Sequence, residues 1–427
     1  MKVLYVSTWK QRCGIADFAQ SMVESLAGRN VTSEVFPLNT AALRYATSAE
    51  LRAELDRCVR MAAGFDLVHI QHEFVIFAGA GGLFESIWNF THLLAGLRAA
   101  GRPVVVTFHS EPAFQLLVPA PQAGQGASGG LSGLHSLVQR LRTRRVIGKL
   151  RNLWRASVGP HFNGQPGSFR GLVHTPRTRL GLVNSGLAPE CVSVMPLGHA
   201  LRDASFLSID RTQAKASLGL RPDSILSTIF GFVTAYKGHL VAVQALKKLP
   251  PQHHLAIVGG PNLANHTDTT LNAILAMWEN EDPRRLMITG FASRETIDRY
   301  HAASDICLAP FLPGNTAGSA SATWAFTSGK PTIASNIPAF AEIQEAADCL
   351  LLCTPNAHHE LAWHIQQLAG NLELQDRLSQ RALKFAAENS WECVCERLIG
   401  VYRELIQASG IQFARPMAQF PRSQQAA

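Results

Sequence analysis

Two short stretches of the chain combine residue types that suit the binding of a phosphate group. In the first, a short apolar strand runs into a Gly/Ser/Asn-rich loop, and small and hydroxyl-bearing residues then open a predicted helix over Ser319–Ser328. The first N–H groups of a helix lack intrahelical partners and attract anions, as does the helix dipole. No acidic residue lies between Asp305 and Glu342 to repel a phosphate. We therefore predict a phosphate site at Gly318, Ser319, Ala320 and Ser321; the alternative is that Ser319 is a plain helix N-cap.

The second stretch is FGFVTAYKGH, which contains Lys237 just after the first strand of the second half of the chain. A lysine ammonium is a natural point-charge partner for a diphosphate, and the alternative is a solvated lysine in a turn. Gly14 follows the first strand of the chain and lets the backbone approach a phosphate or sugar closely, unless it only forms a turn. We predict that both residues contact the same ligand.

Histidines and glutamates follow three strands. His109 ends the apolar run in VVVTFHSEP, so its imidazole needs a hydrogen-bond partner, and we predict a substrate contact with Glu111 orienting His109 or the acceptor. In LVHIQHEF, His69 and His72 point to opposite faces of a strand and cannot converge on a metal. We expect His72 to pack or to contact an acceptor at the cleft wall. Glu342, beyond a later strand, is predicted to accept hydrogen bonds from a sugar or ribose hydroxyl.

The elements that must position these residues alternate between strands and helices twice along the chain. Continuous apolar strands separated by helices indicate a parallel sheet covered on both faces, and residues just past the strand ends then line a cleft. A linker around residues 198–208 separates the two alternations, so we predict an α/β protein with two doubly wound sheets. The expected strands are Val3–Ser7, Val31–Phe36, Asp66–Gln71, Pro103–Phe108, Gly171–His174, Val192–Met195, Leu226–Gly231, His254–Val258, Leu286–Thr289, Ile306–Ala309, Thr332–Ala334 and Leu350–Leu352.

The positive charge of the chain is concentrated in one segment. The net charge is +8, and no acidic residue occurs between Glu111 and Glu190. A flexible loop over 119–133 is expected to lead into a basic amphipathic helix over 134–155. Such a helix can lie on an anionic membrane surface, with Arg144, Arg145, Lys149, Arg151 and Trp154 facing the membrane. The alternative is a solvated surface helix, and no nucleic-acid motif accompanies the charge.

The bulk composition restricts the protein class. A length of 427 residues favours two domains, and no run of about 18 apolar residues predicts a membrane span. The eight cysteines form no CxxC pair, and the N-terminus has no apolar stretch of signal-peptide length, so we expect reduced thiols in a cytoplasmic protein.

In their order along the chain, these stretches resemble the retaining glycosyltransferases of family 4, which have the GT-B fold. CGIADFA resembles the N-terminal glycine loop of that family, and DLVHIQHEFVIFAG and VVVTFHSEP resemble two of its strand ends. FGFVTAYKG resembles the first loop of its second domain, SDICLAPF…SGKPTIASNIPAFAEI its donor-site region, and SWECVCERLIGVY its closing helix. The resemblance spans nearly residues 1–408.

The resemblance implies an acceptor-binding domain over 1–200, a nucleotide-sugar domain over 209–388 and a helix over 389–410 that crosses back. The polar composition of residues 411–427, with Pro and Gln, predicts a disordered tail. It implies transfer of a hexose from a UDP- or GDP-sugar with retention, without a metal or other cofactor. The acceptor would be a glycan or a polyprenyl-linked molecule in surface polysaccharide synthesis at the inner face of the membrane. His109 would then touch the donor sugar, and Lys237 would stabilise the leaving diphosphate.

The chain departs from the family at three positions. The family often has two glutamates where this chain has Thr316 and Trp324, and often an arginine where it has Phe232. Some subgroups have a Gly-Ser helix start instead of the glutamates, and this chain resembles them. The missing carboxylates leave open a second interpretation, a non-catalytic protein that binds a nucleotide sugar or an assembly partner. A sugar-nucleotide epimerase of the same fold is a third.

Overall fold

The computed structural model of the chain describes residues 1–112, 131–163, 168–262, 267–314 and 318–410. Within these ranges, the side chains of Ala41 and residues 131–141 are not described. Most of the expected flexible loop, the tail over 411–427 and Thr316 therefore lie outside the described residues. The predicted domain bounds stay predictions.

The first half of the chain forms one parallel sheet of six strands. Val3–Tyr5 on the first strand pair on one side with the second strand and on the other with the third, so the chain winds outward in both directions. The third and fourth strands are buried along their whole length, as continuous apolar runs predict. In the order β2-β1-β3-β4-β5-β6, the strands are β1 Lys2–Ser7, β2 Thr32–Pro37, β3 Leu67–His72, β4 Val104–Phe108, β5 Phe169–Val173 and β6 Val192–Val194.

The second half of the chain forms a second parallel sheet of six strands, in the order β12-β11-β10-β7-β8-β9. Its central strand β10 is fully buried, as is its neighbour β11. Two six-stranded doubly wound sheets confirm the predicted α/β architecture. The strands are β7 Ile225–Phe230, β8 His253–Val258, β9 Leu286–Ile288, β10 Ile306–Ala309, β11 Thr332–Ser335 and β12 Leu350–Cys353.

Helices connect the strands and cover the sheets. In the N-terminal half they are α1 Gly14–Leu26, α2 Thr40–Leu43, α3 Ser48–Ala62, α4 Phe74–Phe77, α5 Leu83–Ala99, α6 Leu131–Ser157, α7 Gly159–Phe162 and α8 Pro176–Asn184. Beyond the first sheet they are α9 Ala204–Leu207, α10 Arg211–Ser217, α11 His239–Leu246, α12 Thr270–Trp278, α13 Arg294–Ala303, α14 Ala320–Thr327, α15 Pro338–Ala347, α16 His358–Ala369, α17 Leu372–Glu388 and α18 Trp391–Ala408. Short 3₁₀ turns lie at Pro189–Cys191, Ala235–Lys237 and Pro283–Arg285.

The last helix, α18, crosses back to the first domain. Ser390 caps its N-terminus by accepting a hydrogen bond from Cys393 N–H (3.3 Å). Its apolar side, which includes the buried Tyr402, packs in one cluster with Tyr5 of β1 and Met22 of α1. The C-terminal helix therefore joins the two halves of the chain, as predicted.

The basic helix α6 begins at Leu131, three residues before its expected start. Trp154 is fully buried against Phe74, Phe90 and Phe108, so the prediction that it faces a membrane is wrong. The helical period that placed it on the apolar face was right, but that face covers the core of the first domain. The basic side chains on the other face are exposed: Arg144, Arg145, Lys149 and Arg151. Within the described ranges, no helix combines the length and apolarity needed to cross a bilayer.

Candidate functional site

Loops at the carboxyl ends of the two sheets meet each other across a cleft. Beside Gly318, beyond β10, lies His174, beyond β5: a Cβ added at the glycine would lie 3.5 Å from the histidine Cβ. The guanidinium of Arg12, beyond β1, lies 4.5 Å from the ring centroid of Phe291, beyond β9. The carboxyl ends of strands in doubly wound folds are where ligands bind. This cleft is therefore the candidate site.

Lys237 lies on the second-domain wall of the cleft and is buried, with 6% of its surface exposed. Its ammonium donates to Ser321 Oγ (3.2 Å), and among the described residues no carboxylate pairs with it. Burial lowers the pKa of Lys237 to about 8. A buried charge without an anionic partner is costly, so an anion that enters beside Lys237 supplies the missing partner.

Glycines make room for this ammonium. Gly231 follows β7 with a φ of +114°, and a Cβ at this position would collide with Lys237 Nζ. Gly259, at the end of β8, packs so closely that a Cβ would collide with the Gly231 carbonyl. Gly238 begins α11 with a φ of +72° and lies against the Pro310 carbonyl. The backbone therefore lies tight around Lys237 because these positions lack side chains.

Helix α14 begins beside Lys237, as the sequence predicts. Ser319 is its N-cap and accepts from Ala322 N–H (3.2 Å), so the capping alternative holds for this residue. Ser319 Oγ also lies 3.0 Å from Ser321 Oγ, whose hydroxyl in turn accepts from Lys237. The helix start, two hydroxyls and one ammonium thus converge at one point. Gly14 begins α1, and the space where its Cβ would lie is open.

His109 lies at the cleft, but both of its ring nitrogens already have partners within the first domain. Nε2 lies 2.8 Å from Gln71 Oε1, and Nδ1 lies 3.3 Å from His174 Nε2. Burial, and then the neighbouring His174, lower the pKa of His109 well below its ordinary value, so the ring is neutral. A contact between His109 and a sugar hydroxyl then requires one of these hydrogen bonds to be exchanged.

The hydrogen-bonded chain continues from His109 through the sheet to α18. Gln71 Nε2 lies 3.4 Å from His69 Nε2, and His69 Nδ1 lies 2.5 Å from Tyr402 OH. Tyr402 OH lies 3.1 Å from Tyr5 OH. The cleft is therefore connected to the crossing helix by a buried polar network, which fixes the position of the His109 ring.

His72 does not reach the cleft, so its prediction as an acceptor contact is wrong. It is 1% exposed, and among the described residues neither ring nitrogen has a hydrogen-bond partner. Burial lowers its pKa to about 3. The rings of Phe77, Phe90, Phe108 and Trp154 surround it. The opposite orientations of His69 and His72 were predicted correctly, and they place His72 in the aromatic core.

Glu111 and Glu342 lie near each other where the two domains are in contact. Glu342 Oε1 accepts from the backbone N–H of Arg177 (2.7 Å), which joins the two domains at the start of α8. Burial raises the pKa of Glu111, whereas Arg177 lowers it and Glu342 raises it. The predicted sugar contact of Glu342 and the predicted orienting role of Glu111 stay predictions.

The departure at Trp324 is surrounded by positive charge. The guanidiniums of Arg202 and Arg294 each lie 4.6 Å from the centroid of the Trp324 ring. Both pair with Asp298, at 2.5 Å and 3.0 Å. At this position the chain therefore has an indole, flanked by two arginines that pair with Asp298, in place of a carboxylate. Thr316 lies outside the described residues.

Sequence reasoning missed Gln71, His174, Arg12 and Phe291. Gln71 and His174 belong to the strand ends on either side of His109, and a general rule that all strand-end polar residues meet could have found them. Arg12 and Phe291 face each other only because the two domains do. Within the described ranges, no three His, Cys, Asp or Glu side chains are grouped as metal ligands would be.

Comparisons with known proteins agree with the fold. Residues 210–385 match the family model of glycosyl transferases group 1. HepE of Anabaena, solved with UDP, has a TM-score of 0.65 at 16% identity, over 94% of this chain and 100% of that chain. The sucrose-phosphate synthase of Thermosynechococcus elongatus has a TM-score of 0.68 at 18% identity, over 96% and 100%. WaaG, a glycosyltransferase involved in lipopolysaccharide biosynthesis, has a TM-score of 0.59 at 15% identity, over 94% and 99%. No curated protein sequence matches the chain. The fold is that of the GT-B glycosyltransferases.

Proposed function

We propose that this chain, whose residues 210–385 match the family model of glycosyl transferases group 1, transfers a sugar from a nucleotide-sugar donor to an acceptor hydroxyl. The observation that carries the proposal is the buried ammonium of Lys237, which lies beside the Ser319 helix start and has no carboxylate partner among the residues that the structure describes. A diphosphate fits this place because it supplies the negative charge that the site lacks. HepE, solved with UDP-glucose, supports a nucleoside diphosphate as the ligand class.

The chemistry follows from where charge develops. As the bond between the anomeric carbon and the diphosphate breaks, negative charge grows on the leaving phosphate oxygen. Lys237, Ser321 Oγ and the first N–H groups of α14 stabilise that charge. The donor phosphate then removes the proton of the acceptor hydroxyl, and the sugar is transferred with retention. In this mechanism no protein carboxylate acts as nucleophile and no metal ion is required.

The donor is a UDP- or GDP-hexose, and the acceptor is a glycan or a polyprenyl-linked molecule in surface polysaccharide synthesis. The exposed basic face of α6 supports peripheral docking of the first domain on the inner face of the cytoplasmic membrane. Arg144, Arg145 and Lys149 are exposed on that face. Docking needs no contribution from Trp154, since electrostatic attraction to anionic lipids acts through the exposed basic residues.

The test of activity is incubation of the purified protein with labelled UDP- and GDP-hexoses, with and without a bacterial lipid extract and with and without a chelator. We expect release of the nucleoside diphosphate with at least one donor, at a rate that the chelator does not change. Lys237→Ala should reduce the rate by about a hundredfold, the scale of a lost transition-state contact. If the protein binds a nucleoside diphosphate but consumes no donor, the non-catalytic alternative is correct; the missing carboxylate at Trp324 is the observation that favours it.

The test of membrane docking is flotation with liposomes that contain anionic lipid. A variant in which Arg144, Arg145, Lys149 and Arg151 are changed to Glu should remain with the soluble fraction. The matched control changes four exposed basic residues of the second domain to Glu: Arg221, Lys247, Lys248 and Arg377. Equal flotation of the wild type and the first variant contradicts docking through α6.

A further inference from the structure

The loop after β1 holds one arginine against the opposite domain. Arg12 is exposed, and its guanidinium lies 4.5 Å from the ring centroid of Phe291. Arg12 belongs to the first domain and Phe291 to the loop after β9 of the second. A guanidinium over an aromatic face is a favourable contact, so this pair holds the two sides of the cleft together.

The loop is built to present Arg12 in this direction. Gln11 is anchored to the first domain because its amide donates to the Leu38 carbonyl (3.0 Å) and accepts from Thr40 Oγ1 (2.8 Å). Lys10 has a φ of +51°, a left-handed conformation that a residue with a side chain adopts at a cost. Cys13 N–H then closes the turn on the Gln11 carbonyl (2.8 Å). With Gln11 fixed against the first domain, Arg12 extends across the cleft.

Phe291 places the guanidinium beside the glycine turns that surround Lys237. A Cβ added at Gly260 would lie 3.0 Å from the Phe291 ring. The ring centroids of Phe291 and Phe232 are 6.4 Å apart. Gly260 and Phe232 each follow one of the tightly packed glycines, Gly259 and Gly231. Through Phe291, Arg12 therefore lies against the part of the second domain that contains these glycine turns.

The part of the second-domain wall around Lys237 carries little charge. The strand ends and turns at residues 229–238, 258–262 and 289–293 contain one charged side chain, that of Lys237. A nucleoside diphosphate carries more negative charge than one ammonium balances. A second cation for the diphosphate can come from the first domain, and Arg12 is a residue that its loop directs to this part of the wall.

We infer that Arg12 is a donor-binding residue that supplies a second positive charge to the diphosphate from across the cleft. The inference rests on the proposed function and adds a residue to it. In the free protein the guanidinium rests on Phe291, and with the donor bound it donates hydrogen bonds to phosphate oxygens while remaining near the ring. The diphosphate is thus bound by both domains, so donor binding favours the closed cleft.

Isothermal titration with UDP, GDP, UMP and GMP tests this inference on the full chain. Arg12→Gln should weaken binding of the preferred nucleoside diphosphate by about tenfold, the scale of one charge-assisted contact, and that of the monophosphate much less. Arg12→Lys, which keeps the charge, should restore most of the affinity. Lys10→Gln removes a charge from the same loop and should bind the diphosphate as the wild type does. Thermal unfolding of each variant checks that it folds.

Three outcomes overturn the inference. If Arg12→Gln binds the diphosphate as tightly as Lys10→Gln does, Arg12 does not contact the phosphates. If Arg12→Gln weakens the diphosphate and the monophosphate equally, Arg12 only holds the domains together. Both outcomes leave the proposed function intact. If the wild type binds neither UDP nor GDP, the proposed function and the inference fail together.

Discussion

Replacing Lys237 with methionine should make the ligand-free protein more stable while it removes diphosphate binding. The ammonium is buried without a carboxylate partner among the described residues, and burial lowers its pKa to about 8 from an ordinary value of 10.5. Each pKa unit corresponds to about 1.4 kcal/mol, so the charged lysine lowers the free energy of unfolding by about 3 kcal/mol at pH 7. Methionine has a similar length and no charge, so most of this cost should disappear.

The difference in stability between the wild type and Lys237→Met should depend on pH with a definite sign. The pKa of Lys237 is lower in the folded than in the unfolded protein, so the unfolded chain binds more protons between about pH 8 and pH 10.5. The stability of the wild type should therefore rise with pH through this window relative to that of Lys237→Met. About 2 kcal/mol of the difference should be recovered by pH 9.5, because the folded-state lysine is then neutral.

Urea unfolding of both proteins at pH 7 and pH 9.5 measures this difference. Lys248→Met is the matched control, since Lys248 is exposed and its replacement should change the free energy of unfolding by under about 0.5 kcal/mol. The cost assigned to the buried charge is refuted if Lys237→Met is no more stable than the wild type at pH 7, or if the difference does not shrink at pH 9.5. A saturating nucleoside diphosphate should reverse the order of stability, because only the wild type binds it.

Four further predictions follow from single contacts. Gly231→Ala should weaken the affinity for the diphosphate more than about tenfold and lower the melting temperature, since the φ of Gly231 is +114° and a Cβ there would collide with Lys237. The control in titration and thermal unfolding is Gly148→Ala, because the space at the Gly148 Cβ position is open. Diphosphate binding by the wild type should weaken as pH rises through about 8, the pKa of Lys237, whereas Lys237→Arg should bind to higher pH; identical titration profiles would show that Lys237 does not contact the ligand. His72→Leu should raise the free energy of unfolding by about 1 kcal/mol, because it removes a buried imidazole without a hydrogen-bond partner among the described residues. If urea unfolding shows a comparable decrease in that free energy, the imidazole has hydrogen-bond partners. Trp154→Ala should lower that free energy by about 3–5 kcal/mol and leave liposome flotation of the folded protein unchanged, because the indole is fully buried; unchanged stability would contradict its place in the core.

The sheets were predictable because parallel strands that are buried on both faces read as continuous apolar runs. Ile306–Ala309 was located to the residue, and most other strand ends lie within two residues of their expected positions. The helix start beside Ser319 was predictable for a similar reason. Its small residues follow the loop after a strand, and its capping hydroxyl is a local signal.

What the sequence could not show depends on contacts between distant segments. His72 was placed at a cleft wall because it ends a strand, yet a helix about 80 residues later covers it with Trp154. The amphipathic pattern of that helix was clear, but periodicity does not say whether the apolar face meets a membrane or a core. His109 was located correctly at a strand end, whereas its partners come from neighbouring strands whose order is a tertiary property.

A crystal structure of the protein with a bound nucleoside diphosphate tests the central claim most directly. We predict that oxygens of the terminal phosphate lie within about 3 Å of Lys237 Nζ and Ser321 Oγ, at the start of the helix Ala320–Thr327. A nucleotide bound elsewhere, with Lys237 still hydrogen-bonded only to Ser321, would contradict the assignment of this cleft as the donor site.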